Sequence, residues 1–291
     1  MSYHAIKEWI AMAEQKQLPL WEVVLEDDMA ERAVSREESF KEMEKIWEAM
    51  LLSVEQYDGT LRSNSGLVGT DGQKLEDYGK TGKTLCGDFI NKVMTRAVQV
   101  SESNACMKRI VAAPTAGSCG VMPAVFVTLY KEGKASKEQI IEALYVASGI
   151  GKVVAERASI AGASGGCQAE VGTASAMTAG ALAALHGCSA KQVGDALAIA
   201  LKNLLGLACD PVAGLVEVPC VKRNVVGAVN AVAAADMVLA GIESAIPPDD
   251  VIDAMGEIGH EMSYKIKETA LGGLAATPTG QAIADKVLTL S

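Results

Sequence analysis

Aromatic side chains are scarce in this chain of 291 residues, because Phe, Trp and Tyr together make up only 4 % of it. Hydrophobic residues nevertheless account for 49 %, so aliphatic side chains must form most of the core. Runs that alternate between polar and apolar residues, which are typical of half-buried strands, are also missing. The 28 glycines allow helices to approach closely. The sequence therefore predicts an all-α fold, a compact bundle of about nine or ten Ala/Gly-rich helices joined by Gly-rich loops.

Basic residues are in the minority, and the formal net charge is −10. A nucleic-acid-binding protein usually carries a basic stripe, which this chain does not have. An anionic membrane surface would also repel so acidic a chain. The first residues lack the basic region and apolar stretch that direct export. We therefore expect a cytoplasmic enzyme without nucleic-acid or membrane partners.

One uncharged stretch, residues 110–130, has about the length of a membrane span. Two prolines and two glycines interrupt it, at Pro114, Gly117, Gly120 and Pro123. Irregular backbone of this kind is not tolerated where lipid surrounds it. A loop buried inside the protein is the better interpretation.

Helical periodicity dominates most of the chain. We predict a single α-helical catalytic domain, with peripheral helices over residues 1–57 and the core that carries the site over residues 58–291. Residues 58–83 contain six glycines among Ser, Thr and Asp, and we interpret them as a long functional or mobile loop. The tail from Leu271 to Gly280 is also predicted to be a loop.

The seven cysteines are widely spaced, and no Cys-x-x-Cys pair occurs among them. An odd number without an export signal argues against a disulfide framework. The spacing by itself does not specify a metal site either. Free cysteine is among the most buried residue types, so core packing is an alternative explanation for all seven. It is the one that we favour for Cys106 and Cys188.

Three cysteines lie beside glycine and proline breaks instead of on a helix face. Cys167 follows two glycines and precedes a predicted helix, whose positive end favours a thiolate. Cys209 follows a predicted helix that a proline ends, and Cys220 lies between a proline and two basic residues. A bent backbone of this kind can direct a thiol toward a ligand and offer N–H groups to its sulfur.

Five longer motifs occur in a fixed order around these cysteines: PTAGS at 114–118, GCQAEVG at 166–172, CDPVAG at 209–214, VPCVKRN at 218–224 and ETALGGLA at 268–275. In this order they resemble the alpha chain of the bacterial iron–sulfur L-serine dehydratases, the L-serine ammonia-lyases. The resemblance covers nearly the whole chain.

The resemblance implies that Cys167, Cys209 and Cys220 hold a 4Fe–4S cluster whose fourth iron has no protein thiolate. It also implies deamination of L-serine to pyruvate and ammonia, and hence a role in serine catabolism and gluconeogenesis. The open iron would act as a Lewis acid on the leaving hydroxyl while a base removes the α-proton. A separate beta chain would complete the site, because its Ser/His-rich motif is absent here.

Substrate contacts are expected from Ser63, Ser65, Thr115, Ser118 and Lys222, each of which has an equal alternative as a turn or cap residue. The catalytic base stays open, because none of the three histidines lies in a matching motif.

Other functions stay open beside this one. The family commonly has Asn-Ala-Ser-Ile-Ser-Gly before the first ligand, whereas residues 157–162 are Arg-Ala-Ser-Ile-Ala-Gly, a difference expected to alter contacts near the substrate. One rival is a cysteine desulfidase, in which sulfide leaves instead of hydroxide. A second is a helical scaffold or zinc-binding subunit without catalysis. A pyridoxal-phosphate dehydratase is disfavoured, because α/β alternation and an evident Schiff-base lysine are missing.

Overall fold

Helices make up 69 % of the computed structural model, which describes residues 3–289, and no strand occurs in that part of the chain. The predicted all-α class is therefore confirmed, and the compact bundle fits. The described residues form thirteen α-helices, so the predicted number of nine or ten is wrong. Their bounds are α1 (Ile6–Lys16), α2 (Leu20–Arg32), α3 (Arg36–Glu55), α4 (Asp71–Lys80), α5 (Gly87–Ala105), α6 (Val121–Lys131), α7 (Lys137–Arg157), α8 (Gly162–Gly165), α9 (Thr173–Leu185), α10 (Ala190–Lys202), α11 (Cys220–Leu239), α12 (Pro248–Glu261) and α13 (Pro278–Leu288).

The glycine-rich segment 58–83 is not a loop throughout, because α4 lies within it. Gly72 and Gly79 lie in this helix, and they are among the glycines from which a loop was predicted. A Cβ atom on Gly72 would lie 2.6 Å from Cγ of Gln99, and one on Gly79 would overlap the side-chain oxygen of Asn91. Both partners belong to α5, so these glycines allow α4 to pack closely on α5 and do not serve chain flexibility.

Two other helices also escaped prediction. α8 is a single turn of four residues, too short to show a period. α13 begins at Pro278, inside the tail that was predicted as a loop, and the side chain of Thr277 caps it by accepting from the N–H of Gly280 at 3.0 Å. Proline in the first turn and threonine before it are a typical helix start.

Capping boxes begin three of the longer helices, as their sequences predict. The side chains of Ser35, Ser136 and Ser189 each accept from the backbone N–H three residues later, at 3.2–3.3 Å. In each case the Glu or Gln at that third position accepts from the backbone N–H of the serine. These reciprocal bonds satisfy N–H groups that a helix start would otherwise leave unpaired.

The core surrounds α9, which packs against α7, α10 and α11. Six of the thirteen residues of α9 are alanine, and every residue from Thr173 to Ala183 is buried. Side chains this small allow the neighbouring helices to lie close to its backbone. The N-terminal helices belong to the same core, because Trp9 and Trp47 are each only 1 % exposed. The boundary at residue 57 stays a prediction.

The uncharged stretch 110–130 contains a loop, a short 3₁₀ turn (Ala116–Ser118) and most of α6. The residues of α6 from Val121 to Leu129 are buried in the core. Over residues 3–289, the helices do not combine the length and the apolar character that crossing a membrane requires.

Candidate active site

Cys167, Cys209 and Cys220 come from three separate segments of the chain. Cys167 directly precedes a π-helical turn (Gln168–Gly172) that continues into α9, and Cys220 is the first residue of α11. Cys209 lies between α10 and α11 in extended backbone: its N–H donates to the carbonyl of Ile266, and its carbonyl accepts from the N–H of Glu268, both at 2.8 Å. Of the other cysteines, only Cys119 is buried. Cys106 and Cys188 are half-buried and Cys86 is exposed, so core packing does not account for all seven.

The turn before Cys167 requires glycine. Gly166 has a φ of +75°, which side chains with a Cβ atom rarely adopt. An added Cβ atom would also lie 2.6 Å from the sulfur of Met262 and 2.9 Å from the carbonyl oxygen of Leu207. The glycine therefore brings Cys167 close to α12 and to the segment that leads to Cys209.

All three thiols are buried, with 2 %, 3 % and 7 % exposure for Cys167, Cys209 and Cys220. Burial raises the pKa of Cys167 to about 11 and that of Cys220 to about 12, and it also raises the pKa of Cys209. Cys167 further raises the pKa of both other thiols, and Cys220 raises that of Cys209. The three sulfurs therefore lie within electrostatic range of one another, in a place where three thiolates without a counter-charge would be unfavourable.

Arg223 supplies positive charge to this group, and it lowers the pKa of Cys167 against the larger effect of burial. Its guanidinium donates to the carbonyl of Ala208 at 2.7 Å and to the carboxylate of Asp210 at 2.8 Å. The other oxygen of Asp210 accepts from the backbone N–H of Leu274 at 2.8 Å. This largely buried pair therefore joins α11, the segment of Cys209 and the tail.

Glu170 is a site residue that the sequence analysis missed. One carboxylate oxygen accepts from the hydroxyl of Thr115 at 2.6 Å, and the other lies 4.0 Å from the sulfur of Cys209. Burial raises the pKa of Glu170, and the charge of Glu268 adds to this effect. Glu170 forms no ion pair within the described part of the chain. The sequence contains one indication of this role, because Glu170 lies between the apolar residues Ala169 and Val171. Burial of a lone carboxylate is unfavourable unless a partner or a ligand compensates for it.

Two glycines leave room for this carboxylate. A Cβ atom on Gly117 would lie 2.9 Å from one oxygen of Glu170, and a Cβ atom on Gly162 would lie 2.8 Å from the other and 3.0 Å from the sulfur of Cys209. The loop with Thr115, the short helix α8 and the segment of Cys209 therefore meet around Glu170.

The five candidate substrate contacts divide into two groups. Thr115 binds Glu170, and the buried hydroxyl of Ser118 lies 3.3 Å from that of Thr115. Ser63 and Ser65 instead donate to the same oxygen of Glu217, at 2.8 and 2.5 Å.

Glu217 precedes Cys220 by three residues, so the two serines reach the region of Cys220 from the loop before α4. Lys222 is 58 % exposed, and its ammonium group lies 2.6 Å from the carboxylate of Asp71, the first residue of α4. Each of these polar side chains therefore already has a partner in the protein.

The three thiols could bind either a single metal ion or a cluster, and the two make different demands on the site. Residues 3–289 contain no group of three or more His, Cys, Asp or Glu that could hold a metal ion, which gives no support to a zinc site. A cubane cluster makes a different demand, since its thiolates bind different irons and stand around a larger volume. Three thiol donors without histidine are the soft ligand set of iron–sulfur clusters. Arg223 and the N-terminus of α11 place positive charge beside them.

The fold and the site together define a helical protein in which three buried cysteines lie within electrostatic range of one another, beside a half-buried glutamate and a half-buried arginine. A family model described as the serine dehydratase alpha chain matches residues 15–275, and the chain belongs to this family. The resemblance found in the motifs is thereby confirmed.

Individual relatives match over most of the chain. The chain is 46 % identical over 285 residues to a probable L-serine dehydratase alpha chain of Bacillus subtilis, which covers 98 % of this chain and 95 % of that protein. It is 40 % identical over 281 residues to the L-serine dehydratase alpha chain of Peptoniphilus asaccharolyticus, covering 95 % of each. An L-serine dehydratase of Streptomyces coelicolor is 39 % identical over 92 % of this chain, but the match covers only 59 % of that longer protein.

Proposed function

We propose that this chain is the alpha subunit of a cytoplasmic enzyme that deaminates L-serine to pyruvate and ammonia, with a 4Fe–4S cluster held by Cys167, Cys209 and Cys220. The observation that carries the proposal is that three thiols from distant segments are buried within electrostatic range of one another, since Cys167 raises the pKa of both Cys209 and Cys220. The names of its relatives supply the substrate. When bound, the cluster would supply an iron without a protein ligand, which acts as a Lewis acid on the leaving hydroxyl.

The residues around the thiols have roles of their own. Arg223 and the N-terminus of α11 offset the negative charge of the thiolates. Asp210 fixes the guanidinium, so that it stays beside Cys167. Exclusion of water strengthens both electrostatic effects, because the thiols and Asp210 are buried.

Glu170 is suited to bind the ammonium group of serine. It is a half-buried carboxylate without a cationic partner in the described residues. Thr115 donates to one of its oxygens, and the other oxygen lies 4.0 Å from the sulfur of Cys209. A substrate ammonium would supply the missing counter-charge, which orients the amino acid relative to the site.

This role can be tested with Glu170→Gln. Loss of a charge-assisted hydrogen bond is expected to lower kcat/KM for serine roughly tenfold to a hundredfold, mainly through KM. Glu142→Gln is the matched control, because the pKa of Glu142 is also raised by burial but the residue lies on α7. An unchanged KM in Glu170→Gln would exclude the ammonium-binding role.

We also propose that a separate beta chain contributes the base that removes the α-proton. Two of the three histidines have other partners: the ring of His4 is exposed and pairs with Glu156 at 2.7 Å, and that of His186 bonds to the carbonyl of Leu182 at 2.9 Å. The relatives called alpha chain support a two-chain enzyme, and the longer Streptomyces protein has room for both parts.

The central experiment compares four variants, each purified without oxygen. Iron, acid-labile sulfide and pyruvate formation from serine are measured with and without a candidate beta chain. Cys167→Ala, Cys209→Ala and Cys220→Ala should each lose the cluster and the activity, whereas Cys188→Ala should keep both. Full iron content and activity in any of the first three variants would refute the ligand assignment.

The same preparation separates the rival functions. A cysteine desulfidase would form pyruvate from L-cysteine faster than from L-serine. A subunit without catalysis would form pyruvate from neither substrate, and a protein without a cluster would be colourless.

A further inference from the structure

A second polar cavity lies away from the cysteines, between the end of α3, α4, α5 and the end of α6. Its volume is about 500 Å³, within the range of small-molecule sites. The face of α5 that lines it carries Asn91, Thr95 and Gln99 at successive turns, and these side chains are only 5 %, 4 % and 6 % exposed. Three buried polar residues in a row are unusual for a helix of a bundle, because burial of a polar group is unfavourable unless it is satisfied.

Two of these side chains lack partners. The hydroxyl of Thr95 is buried without a hydrogen bond, and the amide of Asn91 makes none within residues 3–289. Gln99 donates to Glu76 at 3.1 Å, so it is the one member of the row that is satisfied. Asn91 in particular is more than nine-tenths buried and lines the cavity, which leaves its amide available to a polar ligand.

Arg96 supplies the charge of the cavity. Its guanidinium donates to the hydroxyl of Thr128 at 2.5 Å, and no carboxylate of the described residues lies within ion-pair distance. Glu132 and Glu76 act on it only from farther away. The other cations of the cavity wall are paired: Lys80 with Glu76 and Asp77, Lys92 with Asp88 and Glu132, and Lys131 with Glu55.

Arg96 is therefore the one cation of the cavity wall that has no carboxylate of the described residues within ion-pair distance. We propose that this cavity binds a small organic monocarboxylate, with the carboxylate on Arg96 and a further polar group of the ligand on Asn91. A guanidinium binds a carboxylate through two parallel hydrogen bonds, and a monocarboxylate supplies the one partner that Arg96 lacks. This site goes beyond the proposed function and does not depend on it.

Binding should also affect α4, which forms one wall of the cavity through Gln73, Glu76, Gly79 and Lys80. Apart from its packing on α5, α4 is fixed mainly at its N-terminus, where Glu102 accepts from the N–H groups of Asp71 and Gly72 at 2.9 and 3.1 Å. A ligand between α4 and α5 would add contacts farther along the helix. We therefore expect slower amide hydrogen exchange in α4 when the cavity is occupied.

The test uses the full-length chain and titration calorimetry with propionate and L-lactate as probes, with inorganic phosphate for comparison. These probes are neither substrate nor product of the proposed reaction. Both monocarboxylates should bind, and Arg96→Gln should weaken binding roughly tenfold or more. Arg109→Gln is the control, because it removes the same charge from an exposed arginine and should bind as the unchanged protein does.

A second variant keeps the test decisive if Arg96→Gln does not fold. Asn91→Leu removes an amide that has no partner in the protein, so it should fold and lose affinity for L-lactate, whose hydroxyl the amide would bind. Failure of both monocarboxylates to bind would overturn the proposal, as would unchanged affinity in Arg96→Gln. Tighter binding of phosphate than of either carboxylate would overturn the ligand class.

Discussion

Arg223→Met tests how much the buried ion pair beside Cys167 stabilises the protein. The change keeps much of the length of the side chain and removes its charge. It leaves Asp210, whose side chain is 7 % exposed, without the cation that lies 2.8 Å from it. It also removes the donor of the carbonyl of Ala208. The backbone N–H of Leu274 still donates to Asp210, so the carboxylate keeps one hydrogen bond.

The expected loss follows from the burial of the pair. Removing one partner of a buried ion pair typically costs about 3–5 kcal/mol, because the other charge is left without compensation. Arg32 and Asp28 form the contrasting surface pair, with side chains 42 % and 29 % exposed. For Arg32→Met we expect about 1 kcal/mol or less, since solvent screens exposed pairs.

Urea unfolding of the chain without cluster measures both losses, followed by circular dichroism. The double variant Arg223→Met/Asp210→Asn should recover part of the lost stability, because the asparagine carries no charge but can still accept from Leu274. If Arg223→Met and Arg32→Met lower the free energy of unfolding by the same amount, burial of the pair does not have the energetic role that we assign to it.

Two further predictions concern the surroundings of the site. Burial raises the pKa of Cys119 to about 12 from 9.0, so the folded chain keeps a proton that the unfolded chain releases. This contribution to stability is complete below about pH 9 and is lost as the pH rises through about 12. At about pH 10.5 the loss is about 2 kcal/mol, and Cys119→Ala should lack this part of the alkaline destabilisation in urea titrations. Gly162→Ala brings a methyl group to 2.8 Å from Glu170 and should destabilise by about 1–3 kcal/mol. Gly172→Ala, which meets only a flexible methyl group of Leu201 at 3.3 Å, should cost less in the same assay.

Helices whose first turn is stabilised by contacts within a few residues could be predicted from the sequence alone. The capping boxes at Ser35, Ser136 and Ser189 are complete within four residues, so their sequence contains the whole signal. The helix α4 could not be predicted in this way. Its glycines fit residues of α5, and nothing within residues 58–83 indicates that these partners are opposite.

In the candidate site, too, features that depend on neighbouring residues could be predicted, and contacts between distant residues could not. Glycine and proline breaks indicated which cysteines were special, and the family motifs grouped three of them. Arg223 was expected as a cation beside Cys220, but its pairing with Asp210 and the role of Glu170 could not be predicted, because the partners are distant in the sequence or in different elements. Thr115 precedes Glu170 by 55 residues, and Asp210 lies outside the helix that carries Arg223. Such pairs become visible only when the chain is folded.

Two buried amides, those of Gln168 and Asn224, connect the segments around the cysteines. The side chain of Gln168 accepts from the N–H of Gly206 at 2.8 Å and donates to the carbonyl of Met255 at 3.0 Å, which joins the segment of Cys167 to that of Cys209. Asn224 accepts from the N–H of Gly120 at 2.8 Å and donates to the carbonyls of Gly117 and Cys220.

Each amide satisfies backbone groups of two segments at once, so neither segment can move without leaving a buried polar group unpaired, at a cost of about 1–3 kcal/mol for each group. These amides and the Arg223–Asp210 pair therefore connect the segments that carry the three thiols.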